Sequence, residues 1–124
     1  MKVKLKLNRD QYKGVATIAM NCCNALAGTT FPEVQYRDAL WKLQTRIAVK
    51  VPTLKKKGNT LTLGEVESLA LFEVMGDLVH GFQSYELGLG YWILAEIDRQ
   101  KQEYVALMRA NLTANLTINQ QLLK

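Results

Sequence analysis

Two cysteines, a single histidine and no apolar run of membrane-spanning length leave this chain few of the usual chemical devices. Adjacent side chains on a helix point about 100° apart, so Cys22 and Cys23 are poorly placed to pair with each other, and no second pair exists to build a disulfide framework. They are expected as two free thiols, one buried and one at a boundary, in a reducing compartment. Neither their spacing nor their company fits a zinc site. The amino-terminal MKVKLKLNRD alternates lysine with apolar residues and lacks the continuous apolar core of a signal peptide, so a cytoplasmic location is expected, with no membrane partner. The two sequons at Asn111 and Asn115 carry no weight for glycosylation without a secretion signal.

Catalytic signatures are equally scarce. No Ser, Cys or Thr nucleophile sits in a motif beside a base. Glu73, Asp77 and His80 fall at i, i+4 and i+7 on one helical stripe, which Glu96 or Glu103 of the last helix could complete, but one His and one Asp are too few for a metal or a catalytic set. Gly88-Leu89-Gly90 matches a phosphate-cradling loop in composition only, because the segment before it reads as helix and not as strand. The expectation is a protein that is not an enzyme and carries no cofactor or metal.

What the chain does have is a core. Its 124 residues suit one domain over 1–124, and 48% apolar with 22% charged residues is the balance of a globular protein. Residues 64–82, GEVESLALFEVMGDLVHGF, carry apolar side chains around most of a helical circumference, which predicts a central helix covered on several sides.

Other elements follow in chain order. Val3, Leu5 and Leu7 alternate with Lys2, Lys4 and Lys6, the period of a half-buried strand with one basic face. Asn8 and Gln11 then form a capping box for a helix ending near Gly28, with Tyr12, Val15, Ala16, Ala19 and Leu26 on its apolar side. Pro32 and Glu33 start a second helix that would bury Phe31, Val34, Leu40, Trp41, Leu43 and Ile47 and leave Arg37, Asp38, Lys42 and Arg46 mostly solvated. The alternation of Ile47, Val49 and Val51 also allows extended chain before Pro52.

Gly58-Asn59 reads as the turn of a hairpin that sets Leu54 opposite Leu63 and turns Lys55 and Lys57 outward. KLKLNRDQ (residues 4–11) echoes TLTLGEVE (residues 60–67) without gaps: strand, cap, helix, twice over. The two strands are therefore expected to meet in one small sheet. Gly81, Gly88 and Gly90 indicate a helix end and turn, or a close approach of helices. From Tyr91 a long helix is expected to bury Trp92, Ala95, Tyr104, Val105, Met108 and Leu112, with Leu116, Leu122 and Leu123 continuing its leucine line.

The fold class expected is α+β, mainly α: about four helices packed around residues 64–82, with a two- or three-stranded antiparallel sheet. Two functions fit. The favoured one is a cytoplasmic interaction module that associates with itself or another protein, through Leu112, Leu116 and Leu123. The alternative rests on a net charge of +5. Lys2, Lys4 and Lys6, with Lys55 and Lys57 on the neighbouring ribbon and Arg9 and Lys13 beside them, would make a basic face for nucleic acid. Lysine on a sheet edge also blocks aggregation, which weighs against that alternative.

Overall fold

The computed structural model describes residues 1–82 and 84–122. Six elements follow one another: strand β1 (Val3–Leu7), helices α1 (Arg9–Ala25) and α2 (Phe31–Lys50), strand β2 (Asn59–Leu63), and helices α3 (Glu65–Leu78) and α4 (Ser84–Leu122). The expected class holds, with four helices and one small sheet. The order reads as two strand–helix–helix units placed end to end.

The echo between residues 4–11 and 60–67 has a spatial counterpart. β1 and β2 pair antiparallel with Leu5 opposite Leu61, and Val3 opposite Leu63 on one side. An approximate dyad through the Leu5–Leu61 pair relates the two strands. Each strand then enters its helix by similar chemistry. Asn8 Oδ1 accepts the Gln11 N–H at 2.8 Å while Gln11 Oε1 accepts the Asn8 N–H at 2.9 Å, a reciprocal capping box. At the second copy Gly64 has no side chain to offer, and only the return bond forms: Glu67 Oε1 accepts the Gly64 N–H at 2.8 Å.

Val3, Leu5, Leu7, Leu61 and Leu63 are buried beneath the sheet, among Val15, Ile18, Leu40, Leu43, Ile47, Leu71 and Met75 from the helices. α3 touches all three other helices. Its Ala70, Leu71, Val74 and Met75 are buried, while Val66 and Leu69 stay exposed on its outer side. α1 packs against α2, α3, α4 and both strands, and both of its cysteines are buried.

The ribbon has two free edges, and a helix side chain closes each. The Gln100 amide of α4 brackets Lys4 on the β1 edge, accepting its N–H at 2.9 Å and donating to its carbonyl at 2.7 Å. Arg46 of α2 donates to the Thr62 carbonyl on the β2 edge at 2.7 Å. Backbone groups that would recruit another strand are thereby occupied at mid-edge.

Four expectations are corrected. Gly58, at φ +80°, turns the chain, but Leu54 to Lys57 form no strand; β2 pairs with β1 instead of closing a hairpin, and Asn59 bonds back to Lys55 through its side chain. α2 continues to Lys50, so the Ile47–Val51 alternation is helical. Phe31, Val34 and Trp41 are exposed, Trp41 by 62%, because the neighbours of α2 cover only the side carrying Leu40, Leu43 and Ile47. Finally, α4 begins at Ser84 and runs straight through Gly88 and Gly90. It buries Leu89, Ile93 and Ile97, and the expected Trp92, Tyr104, Met108 and Leu112 are exposed. Gly90 fulfils the close-approach reading: a Cβ there would sit 3.0 Å from Val79 Cγ2.

Candidate interaction surfaces

Strand alternation and core burial together decide which way the β1 lysines point. With Val3, Leu5 and Leu7 held inside, Lys2, Lys4 and Lys6 are exposed on the opposite face, and Thr60 and Thr62 of β2 are exposed as well. That face of the ribbon therefore presents three ammonium groups and two hydroxyls, and no carboxylate. Beside it α4 carries Arg99, Gln100 and Glu103, lining a groove of about 460 Å³ with the lysines. Glu103 does not face those lysines unpaired, since it accepts from Arg99 Nη1 at 2.5 Å. Arg99 also binds Glu96 and holds that carboxyl below its usual range.

The remaining basic candidates assemble elsewhere. Lys55 and Lys57 lie in the loop before β2, not on a strand face. Arg9 joins that loop at the Leu7–Asn59 end of the ribbon, donating its N–H to the Lys56 carbonyl at 3.3 Å and its Nη2 to the Leu54 carbonyl at 3.0 Å. Lys13 is exposed one helical turn further along α1. The five-ammonium flat ribbon expected from the sequence thus becomes a three-lysine face with a separate basic cluster at one end. Thr60 and Thr62 were missed as site residues, although the antiparallel pairing inferred from the echo already implied that they share the lysine face.

The second surface is the far half of α4. From Lys101 to Leu122 every residue is exposed except Val105, which is half-buried. At about 100° per residue, Tyr104, Leu107, Met108, Leu112, Leu116, Ile118 and Leu122 fall within one half of the circumference. Leu112 and Leu116 are therefore on the surface, as self-association requires, and Leu123 lies outside the described residues. Sequence reasoning did not place Tyr104, Leu107, Met108 and Ile118 on this surface. A signal for them was available: between residues 104 and 122 the only charged side chain is Arg109.

A third exposed apolar line runs along α2 through Phe31, Val34, Trp41 and Val49, the last two lining a shallow depression with Lys42 and Lys50.

The groups with catalytic residue types are engaged or sealed. Glu73 accepts from the Tyr36 hydroxyl at 2.8 Å, and His80 Nδ1 lies 2.9 Å from the Tyr91 hydroxyl. Among the described residues no three His, Cys, Asp or Glu side chains converge as a metal site. Burial, with Cys23 beside it, pushes the Cys22 thiol up to about 12, so it is protonated at neutral pH and a poor nucleophile. No helix among the described residues is long and apolar enough to cross a membrane. Compared with known proteins, the chain matches no family model, no curated protein and no solved structure.

Proposed function

We propose that this is a non-enzymatic nucleic-acid-binding accessory protein whose β1–β2 ribbon enters the major groove of duplex DNA. The observation that carries this reading is the outer ribbon face of Lys2, Lys4, Lys6, Thr60 and Thr62, free of carboxylates and backed by a rigid core. Two strands about 4.8 Å apart fit a groove about 12 Å wide. Lysine ammonium groups suit guanine O6 and N7, and threonine offers a hydroxyl and a methyl to any base edge. Arg9, Lys13, Lys55 and Lys57 then supply phosphate contacts at one end of the ribbon. The approximate dyad through Leu5 and Leu61 parallels the dyad of a duplex, with lysines on one strand and threonines on the other favouring unequal half-sites.

Fluorescence polarisation with a labelled duplex tests this across a salt series. Affinity should fall steeply as salt rises. Replacing Lys2, Lys4 and Lys6 together by Ala should flatten the slope by about one for each phosphate that the variant no longer neutralises. Absence of binding at low salt and micromolar protein removes the reading.

A second reading, self-association through α4, is favoured by the apolar stripe on its projecting half. Light scattering on the full chain and on a chain truncated after Arg109 tests it. The full chain should be a dimer that the truncation converts to monomer; a full chain that stays monomeric at high concentration ends this second reading and leaves the first untouched.

A further inference from the structure

We propose that the α4 stripe is covered by the α4 stripe of a second copy of this chain running antiparallel to it; this rests on the self-association reading above. The orientation follows from which way the stripe looks. α4 packs on the body through Leu89, Ile93 and Ile97, all buried. Asn115 lies 18 residues beyond Ile97, which at 3.6 residues per turn is a whole number of turns, and Tyr104 and Met108 fall within about 20° of the same line. The exposed stripe is thus a continuation of the face that packs on the body. In a parallel, in-register pair the partner's α4 would have to pass through the space that β1 and α3 occupy. An antiparallel partner meets no such obstacle, because its own body lies beyond the free end of the first α4.

The chemistry of the stripe points to a copy of itself. Its single charged residue, Arg109, lies off the midline, so the face offers nothing to a strongly charged partner. Asn111, Asn115 and Asn119 recur every four residues along the middle of the stripe. Each amide carries both donors and an acceptor, and an identical amide-bearing helix can satisfy them where a purely apolar partner cannot.

The two ends of the stripe are also complementary in charge. The described last turn of α4 holds no basic residue to offset the negative pole of the helix. Antiparallel pairing brings that pole to the base of the partner's stripe, where Lys2, Lys4 and Lys101 outnumber Glu65. There a cleft of about 260 Å³ opens between α3 and α4, bordered by Leu69, Phe72, Ile97 and Tyr104, and it receives the partner's Leu122. Parallel pairing would instead set two negative poles side by side.

Cross-linking of the full chain with a short bismaleimide tests this. Cys22 and Cys23 are buried, so the unmodified protein gives the blank. Tyr104→Cys and Leu122→Cys proteins, mixed, should give a linked dimer at least tenfold above either variant alone, since antiparallel pairing puts residue 104 near residue 122 of the other copy and holds like positions about 27 Å apart. Leu69→Glu, an exposed change on α3, should weaken dimerisation by tenfold or more. Linkage of Leu122→Cys to itself, or a dimer with no mixed link, overturns the orientation while self-association stands. A chain that light scattering finds monomeric at every concentration overturns both.

Discussion

The Arg46 guanidinium joins three elements that are far apart in sequence. From α2 it forks onto both carboxylate oxygens of Glu67 in α3, at 2.8 and 3.1 Å, and reaches the Thr62 carbonyl of β2. Glu67 in turn caps α3 through the Gly64 N–H, so one carboxylate positions a helix start and receives the cation. The Glu67 side chain is only 11% exposed, while that of Arg46 is 44% exposed. Removing the cation strands a nearly buried carboxylate, though water reaching the vacated site softens the loss. Arg46→Ala should therefore destabilise the fold by about 2–3 kcal/mol, at the lower end for a broken buried pair, and Arg46→Lys, which keeps the charge but loses the fork, should cost less. Urea unfolding midpoints at unchanged slope would measure both. The half of this arrangement that is local was legible, because Glu67 three residues after Gly64 is a capping spacing. The Arg46 partnership was not, because nothing in a helical wheel of α2 distinguishes a solvated arginine from one whose carboxylate lies 21 residues away.

Helices and strands in this chain owe their boundaries to contacts as much as to composition, and the glycines of α4 illustrate the difference. Gly88 and Gly90 look alike in sequence, and a cluster with Gly81 reads naturally as a break. Both nevertheless lie within α4, because Leu89 and Ile93 are buried on the face between them and packing offsets the weak helical preference of glycine. The two positions should respond oppositely to alanine. At Gly88 an added Cβ meets nothing within 4 Å, so Gly88→Ala should stabilise by about 0.5–1 kcal/mol. At Gly90 the same atom lies 3.0 Å from Val79 Cγ2 and 3.4 Å from the Phe82 ring. Gly90→Ala should cost about 1 kcal/mol net, since crowding at a stiff, buried valine outweighs the propensity gain. Thermal unfolding of the two variants side by side checks the sign of each. The same tension explains α2. Periodicity correctly identified Leu40, Leu43 and Ile47 as core, but Phe31, Val34 and Trp41 form a second apolar line, and pattern alone cannot say which line a neighbour covers.

Across the whole molecule the two strand–helix–helix units place their strands in one ribbon, close that ribbon's edges with Gln100 and Arg46, and leave its basic face bare. The strand half of this plan was visible in the echo of residues 4–11 in residues 60–67. The helix half was not, because α2 and α4 differ in length and share no run of residues, and their equivalence is spatial: each lends one polar side chain to the edge of the other unit's strand. Edge closure matters to the proposed function, since a ribbon that cannot grow by adding strands offers partners only its face. The proposal that this face reads duplex DNA has a consequence that charge alone does not share. Nonspecific attraction of a +5 chain to phosphate should barely distinguish duplex DNA from duplex RNA of equal length. Insertion of a ribbon should distinguish them sharply, because the A-form major groove is deep and too narrow for side chains on a strand pair. We expect duplex DNA to bind at least tenfold more tightly than the matching RNA duplex at about 150 mM salt, with the difference shrinking toward unity when Lys4, Thr60 and Thr62 are replaced by Ala. Competition polarisation with the two duplexes would read this directly, and equal affinities in the unmodified protein would reduce the lysine face to an electrostatic patch.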